Sequence, residues 1–104
     1  MHKKILVGHS RPESLKPVQN WLEMESHEVF WASNSQDILA WARKNKPDLI
    51  ILDTILSDSQ GWEICHILKK EKLQSWIIIV ANRLDALNVL KVREAGADDF
   101  VLHV

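Results

Sequence analysis

Cysteine, glycine and proline are all scarce in this chain of 104 residues, and each scarcity excludes a class of protein. A single cysteine, Cys65, cannot form an internal disulfide, which is typical of a reducing compartment. Three glycines and three prolines are too few for a disordered or loop-dominated chain. The length suits one domain, which we place over residues 1–104. We therefore expect one small, globular, cytoplasmic domain.

An excess of charge and a long hydrophobic run are also missing. Lys plus Arg number 13 and Asp plus Glu number 14, so the net charge of −1 gives no electrostatic reason for direct binding to nucleic acid or to an anionic membrane. The longest apolar run, residues 76–81, is far below the length of about 20 residues that a membrane helix needs. We expect neither nucleic acid nor membrane as a direct partner.

Short apolar runs recur along the chain and predict five β-strands. They occupy residues 5–7, 28–32, 49–52, 77–80 and 100–102. Most of these runs are continuous rather than alternating, which indicates strands that are covered on both faces, as in a parallel sheet. The run over residues 28–32 is the candidate for an edge strand.

Segments with helical spacing of apolar residues separate the strands. They lie around residues 15–22, 36–42, 64–68 and 84–90. Ser33 and Gln36 have the spacing of a capping box at the start of the second helix, and Gly96 can end the fourth. The alternation predicts a right-handed, doubly wound α/β fold. No helix follows the last strand, so part of one sheet face is expected to be bare.

A functional site is expected at the carboxyl ends of the strands, where ligands bind in such sheets. Asp53 stands out because an ionisable group there closes a wholly apolar run. The ordinary alternative for it is a solvated carboxylate at a strand end or a helix cap. The residues that the predicted strands bring to this edge are His9, Ser10, Asp53, Thr54, Ala81 and His103.

Several segments together resemble the receiver domain of bacterial response regulators. The matching segments are residues 3–7, 47–53, 61–65, 76–80 and 95–101, and they extend over nearly the whole chain. The resemblance implies a flavodoxin-like five-stranded parallel sheet in the order 2-1-3-4-5, here without the final helix. It also implies that Asp53 holds the position of the phospho-accepting aspartate in a two-component signalling system.

Other positions depart from the pattern of that family. The family's first strand usually ends in an acidic pair that holds Mg²⁺, where this chain has His9 and Ser10. A hydroxyl residue normally closes the fourth strand, where this chain has Ala81, and a lysine normally ends the fifth, where His103 stands. Of the usual chemical set, only Asp53 is kept.

These departures predict a receiver with impaired or absent Mg²⁺-dependent phosphorylation of Asp53. Mg²⁺ needs oxygen ligands, and an imidazole and a hydroxyl beside one carboxylate make a poor site. Phosphoryl transfer depends on positioning and charge neutralisation, so losing several donors and charges should make it very slow. We predict a protein-interaction module with no catalytic residue and no cofactor, Mg²⁺ being required only if Asp53 is phosphorylated.

Three alternatives remain open from the sequence. Asp53 could still accept a phosphoryl group as in other receivers. His9, Asp53 and His103 could converge into a site for Zn²⁺ or another transition metal, since two imidazoles and a carboxylate suit such ions. His103, a histidine beside a carboxylate, could instead respond to pH and act as a conditional substitute for the absent lysine. An enzyme of the aspartate-nucleophile phosphohydrolase kind is disfavoured, because Ile55 stands where a second aspartate would be needed.

The expected partners are proteins. The resemblance implies a histidine kinase, an output domain or another regulator, and the absent last helix leaves a surface that a homodimer or a hetero-complex would cover. Two further features have ordinary structural interpretations. Cys65 is expected to be a small buried apolar group. The basic cluster that begins at Lys69 is expected to be a solvated helix end.

Overall fold

Parallel strands and crossover helices form the core of the molecule in a computed structural model, which describes residues 3–9, 20, 23–25, 27–53, 56–81 and 93–102. The strands are β1 (Lys4–Gly8), β2 (Glu28–Ala32), β3 (Leu49–Asp53), β4 (Trp76–Ala81) and β5 (Asp99–Leu102). Within these described residues, two helices with full bounds lie between the strands, α1 (Ser35–Asn45) and α2 (Gly61–Lys70). The predicted helices around residues 15–22 and 84–90 lie outside the described residues, apart from the helical Asn20.

The five strands form one parallel sheet in the order β2-β1-β3-β4-β5, which confirms the predicted fold class. β1 and β3 are neighbours at the centre, with Gly8 level with Leu52. β3 is paired with β4 up to Asp53, which lies level with Val80. Because all strands run in the same direction, their carboxyl ends meet at one edge of the sheet.

Side chains alternate between the two sheet faces and bury both of them at the centre. On one face, α1 and α2 cover the strands, and the buried side chains are Leu6, Ile38, Ala42, Ile50, Leu52, Ile64, Cys65, Leu68, Ile77 and Ile79. On the other face lie Ile5, Val7 and Ile51. Burial on both faces explains why the central strands are continuously apolar in sequence. Towards β5 the second face is more open, and Trp76 and Val101 are 55% and 48% exposed.

Cys65 is buried in the first of these clusters, as predicted. Burial raises the pKa of its thiol to about 11, outweighing the opposing influence of the Lys69 charge. The side chain therefore stays a neutral thiol at physiological pH and serves as a small apolar group.

The start of α1 differs by one residue from the sequence prediction. The N-cap is Asn34, whose side-chain oxygen accepts a hydrogen bond from Asp37 N at 2.8 Å, while its Nδ2 donates to Asp37 Oδ2 at 3.0 Å. The capping box predicted at Ser33 and Gln36 is therefore wrong. Both Ser33 and Asn34 can cap a helix. Asn34 is the cap here because its side chain forms two hydrogen bonds with Asp37 at the third helical position.

Lys69 is not the solvated side chain that its place at the end of a helix suggested. Its Nζ donates to Asp98 Oδ2 at 2.8 Å and to Ser75 O at 3.2 Å. The same Asp98 oxygen accepts from Ile77 N at 2.7 Å. Partial burial raises the pKa of Asp98, but the bonds from Lys69 and Ile77 outweigh it, so that the pKa lies below its usual value. The contact joins the end of α2 to the start of β5.

Replacing Lys69 with Met should lower the free energy of unfolding by about 1–2 kcal/mol, because the substitution leaves a carboxylate without its charged donor. The matched control is Lys70→Met on the exposed side of the same helix end, which should change stability by less than about 0.5 kcal/mol. Urea unfolding at neutral pH measures both variants. Equal effects would contradict the assigned role of Lys69.

The same contact gives stability a pH dependence of known sign. Because the pKa of Asp98 is lowered in the folded state, its contribution is present above the unfolded pKa of about 4 and is lost as pH falls through the folded value. The difference in stability between wild type and Lys69→Met should therefore shrink on acidification. A difference that stays constant down to the acid transition would contradict this account.

Candidate functional site

Asp53 is the last residue of β3, and its side chain is buried at the carboxyl edge of the sheet. It is 4% exposed, although a carboxylate ends an otherwise apolar strand. Side chains alternate along a strand, so Asp53 lies on the same sheet face as Ile51. The ordinary interpretation of Asp53 as a solvated strand end is wrong, because the fold removes this acid from bulk solvent.

His9 stands beside Asp53 at the end of the neighbouring strand. It directly follows Gly8, and Asp53 directly follows the residue paired with Gly8, so the two side chains start at the same level of the sheet. His9 is 3% exposed. Its ring meets the edge of Trp31 with centroids 4.7 Å apart at 77°, and its backbone N donates to Ala32 O at 3.0 Å. The imidazole is therefore held against β2.

Gly61 fixes the backbone around Asp53. It is the first residue of α2, and a Cβ at this position would collide with the carbonyl oxygen of Asp53, well inside van der Waals contact. The carbonyl belongs to the sheet and cannot move aside as the end of a flexible side chain could. Glycine is therefore required where the helix crosses the end of β3. The sequence motif that contains Gly61 does not by itself reveal this role.

The loop that follows Asp53 is fastened to the start of α1. Ser35 donates to Asp58 through its backbone N at 2.9 Å and its hydroxyl at 2.6 Å. Ser57 donates to Ser33 O through its backbone N at 3.0 Å and its hydroxyl at 2.8 Å. The bonds from the Ser35 hydroxyl and backbone lower the pKa of Asp58. Asp58 thus acts as an additional cap of α1, a role that its position in a loop did not reveal.

The remaining predicted site residues are only partly described. Ser10, Thr54 and His103 lie outside the described residues. Ala81 ends β4 and is paired with Leu102 of β5, so it lies at the same edge of the sheet. Among the predicted residues, the structure thus brings His9, Asp53 and Ala81 to one edge.

The residues described at this edge do not fit a magnesium site. Mg²⁺ prefers carboxylate oxygens and water in octahedral geometry, and an imidazole is a poor ligand for it. Asp53 provides the carboxylate, while the end of β1 provides the ring of His9, packed against Trp31. Within the described ranges, no group of three or more His, Cys, Asp or Glu side chains could hold a metal ion.

None of the helices in the described part of the chain is long and apolar enough to cross a bilayer.

Replacing Gly61 with Ala should lower the free energy of unfolding by about 1–3 kcal/mol, because the new methyl group meets fixed backbone. Gly8→Ala is the matched control, since a Cβ there meets the ends of the Ile38 and Leu52 side chains at 2.7 and 2.8 Å, which can move. Urea unfolding should show the larger loss for Gly61→Ala. The opposite order would contradict the constraint on Asp53.

The sequence matches a known family and a curated relative over nearly its whole length. The family model described as "Response regulator receiver domain" matches residues 5–103. The alkaline phosphatase synthesis transcriptional regulatory protein PhoP of Bacillus subtilis is 34% identical over 101 residues, which are 97% of this chain and 42% of that protein. The chain thus spans about two fifths of the length of this relative.

Solved structures agree with the sequence matches. The BeF3-activated DrrB receiver domain has a TM-score of 0.83 at 32% identity and covers 98% of this chain and 85% of that one. The response regulator TrrA of Thermotoga maritima, in complex with Mg(2+)-BeF, has a TM-score of 0.84 at 26% identity, over 98% of this chain and 87% of that one. With its sheet order, its buried aspartate and these matches, the chain belongs to the response regulator receiver domain family.

Proposed function

We propose that this chain is an atypical receiver domain that acts as a protein-interaction module in two-component-type signal transduction, with impaired or absent phosphorylation of Asp53. The observation that carries the proposal is the buried imidazole of His9, which stands level with Asp53 and packs against Trp31. The scaffold that presents the aspartate is intact, while the groups beside it have changed in chemical type.

The chemistry of phosphoryl transfer supports this proposal. A carboxylate accepts a phosphoryl group only when the charge of the equatorial oxygens is neutralised and the donors are fixed in place. Ala81 has no hydroxyl to donate, and His103 stands where the family has a fixed positive charge. Removing one preorganised donor can slow a reaction by about 10²–10³-fold. Several such losses, although not simply additive, should make phosphorylation of Asp53 very slow.

Relatives provide the contrast. The TrrA structure contains Mg(2+)-BeF, and the DrrB receiver domain is described as BeF3-activated. We infer that this chain differs from them in needing no cofactor, with Mg²⁺ relevant only if Asp53 is phosphorylated. We further propose that it has no enzymatic activity of its own and that it works in the cytoplasm, as a signalling module does.

Receiver domains of response regulators interact with histidine kinases and output domains. For this chain we propose a protein partner of that kind, in a homodimer or a hetero-complex, without direct contact to nucleic acid or membrane. The near-neutral net charge of −1 is consistent with recognition through shape and apolar contact rather than through a strong field.

Incubation with acetyl phosphate and Mg²⁺ should leave the mass of the protein unchanged, because the site has one carboxylate and lacks the hydroxyl of the fourth strand. Intact-protein mass spectrometry measures this directly. An increase by one phosphoryl group that disappears in Asp53→Ala would overturn the impaired-site proposal and would favour an ordinary phospho-accepting receiver.

A restored variant is the positive control for that experiment. His9→Asp, Ser10→Asp, Ala81→Thr and His103→Lys together return the family's residue types to the edge around Asp53. This variant should gain the phosphoryl group under the same conditions, and it should lose it again when Asp53→Ala is added. Failure of a folded restored variant to react would show that the four positions do not explain the inertness of the wild type.

A second candidate function is a transition-metal site on the same edge. The observation that favours it is the burial of both His9 and Asp53 at one level of the sheet, since an imidazole and a carboxylate are ligands that Zn²⁺ accepts. Under this alternative His103 would supply a further imidazole.

Calorimetric titration with Zn²⁺ separates this alternative from the main proposal. A metal site predicts saturable heat in the wild type that is lost in both His9→Ala and Asp53→Asn. His66→Ala is the matched control, because His66 is an exposed histidine on α2. Absence of heat, or equal heat in all four proteins, would eliminate the site.

A further inference from the structure

β2 forms one edge of the sheet, and its inner side is paired with β1 in a regular parallel ladder. Glu28 N donates to Lys3 O at 2.8 Å, at the start of the strand. Ala32 O accepts from His9 N at 3.0 Å, at its end. In a parallel ladder, the N–H and C=O of one residue point to the same neighbour, and those of the next residue point away from it. The backbone N–H and C=O groups of Glu28, Phe30 and Ala32 therefore face β1.

The other two residues of β2, Val29 and Trp31, turn their backbone N–H and C=O groups to the outer side of the strand. No hydrogen bond is found for these groups within the part of the chain that the structure describes. The outer edge of β2 thus offers two backbone donors and two backbone acceptors at regular spacing. An apolar edge with unpaired backbone groups is a ready template for pairing with another strand.

Phe30 lies between these two residues and adds exposed aromatic surface beside the edge. It is 39% exposed, and its ring stacks on Trp41 of α1 with centroids 4.8 Å apart at 6°. The stack holds the Phe30 ring in place, so little side-chain freedom is lost when another surface packs on it. Rigid aromatic groups of this kind are common anchors of protein interfaces.

We propose that β2 pairs antiparallel with β2 of a second copy of this chain, around a twofold axis at Phe30. In this register, Val29 lies opposite the partner subunit's Trp31, and the reverse pair follows from symmetry. Each pair exchanges two hydrogen bonds, so the outward donors and acceptors of both strands are all satisfied. The axis then passes through a pair of the kind without hydrogen bonds, in which side chains come closest.

The sequence of β2 is compatible with pairing to itself. Phe30 meets the partner's Phe30 at the axis, with the Trp41 ring stacked behind it on each side. Glu28 lies opposite the partner's Ala32, so no like charges face each other. The arrangement is isologous and closes as a dimer rather than continuing as a filament. It specifies the homodimer proposed above, and because it needs no reaction at Asp53 it does not depend on whether Asp53 is phosphorylated.

The second edge strand of the sheet is the less favourable partner. β5 carries an exposed acid, Asp99, directly before its exposed aromatic, Phe100. A charged residue on an edge strand opposes pairing with another edge. β2 carries its one charge, Glu28, at the first position of the strand and not beside its centre.

Sedimentation equilibrium over a range of concentrations tests the proposal. Wild-type protein should show a monomer–dimer equilibrium. Phe30→Lys and Phe30→Glu should each raise the dissociation constant of the dimer about tenfold or more, because like charges meet at the axis. An equimolar mixture of the two variants should recover a dimer, since opposite charges then face each other. Recovery on mixing is expected only if Phe30 lies opposite its own counterpart.

Two proline variants provide a second, matched test. Val29→Pro removes an outward donor of β2, and Val101→Pro places the same change on the β5 edge, both at positions where an edge strand tolerates proline. Circular dichroism and thermal unfolding confirm that each variant is folded. Val29→Pro should abolish the dimer and Val101→Pro should leave it. The proposal is overturned by a wild type that stays monomeric up to roughly millimolar concentration, by folded Phe30→Lys that dimerises like the wild type, or by loss of the dimer only in Val101→Pro.

Discussion

The parallel pairing of β1 with β3 at the centre of the sheet is the constraint on which the rest of the structure depends. Both strands are covered on both faces, so every central position must be apolar and the backbone must satisfy its hydrogen bonds within the sheet. Because the two strands run in the same direction, His9 and Asp53 necessarily arrive at one edge. The site is a consequence of the register, and α2 then crosses this edge closely enough to require Gly61.

Scaffold and chemistry have separate determinants in this domain. The scaffold rests on apolar burial, on the cap of α1 and on the contact between Lys69 and Asp98, none of which involves the side chain of Asp53. The reactivity of a receiver rests on a few polar groups at the carboxyl edge. Substitution of those groups leaves the core untouched, so a chain can keep the full receiver fold while its site loses the charges that a phosphoryl group needs.

The sequence predicted the parts of the structure that follow from apolar patterning. Strand positions and the parallel sheet agree with the structure because continuous apolar runs indicate them, and the strand order agrees with what the family resemblance implies. The sequence did not predict the contacts between segments that are distant in the chain. The bonds from Ser35 to Asp58 and from Lys69 to Asp98 join residues far apart in the chain, and nothing in the local composition distinguishes a bonded polar residue from a solvated one. The shift of the helix cap to Asn34 has a similar origin, since two adjacent residues were suitable.

The buried thiol of Cys65 gives the molecule an internal reporter of its own unfolding. Alkylating and oxidising reagents attack the thiolate, and both burial and a pKa of about 11 suppress that form in the folded state. The side chain projects from α2 into the core cluster and is fully buried there, so a reagent reaches it only when that part of the core opens. The rate of labelling at this single cysteine therefore measures how often the core opens, without any engineered probe.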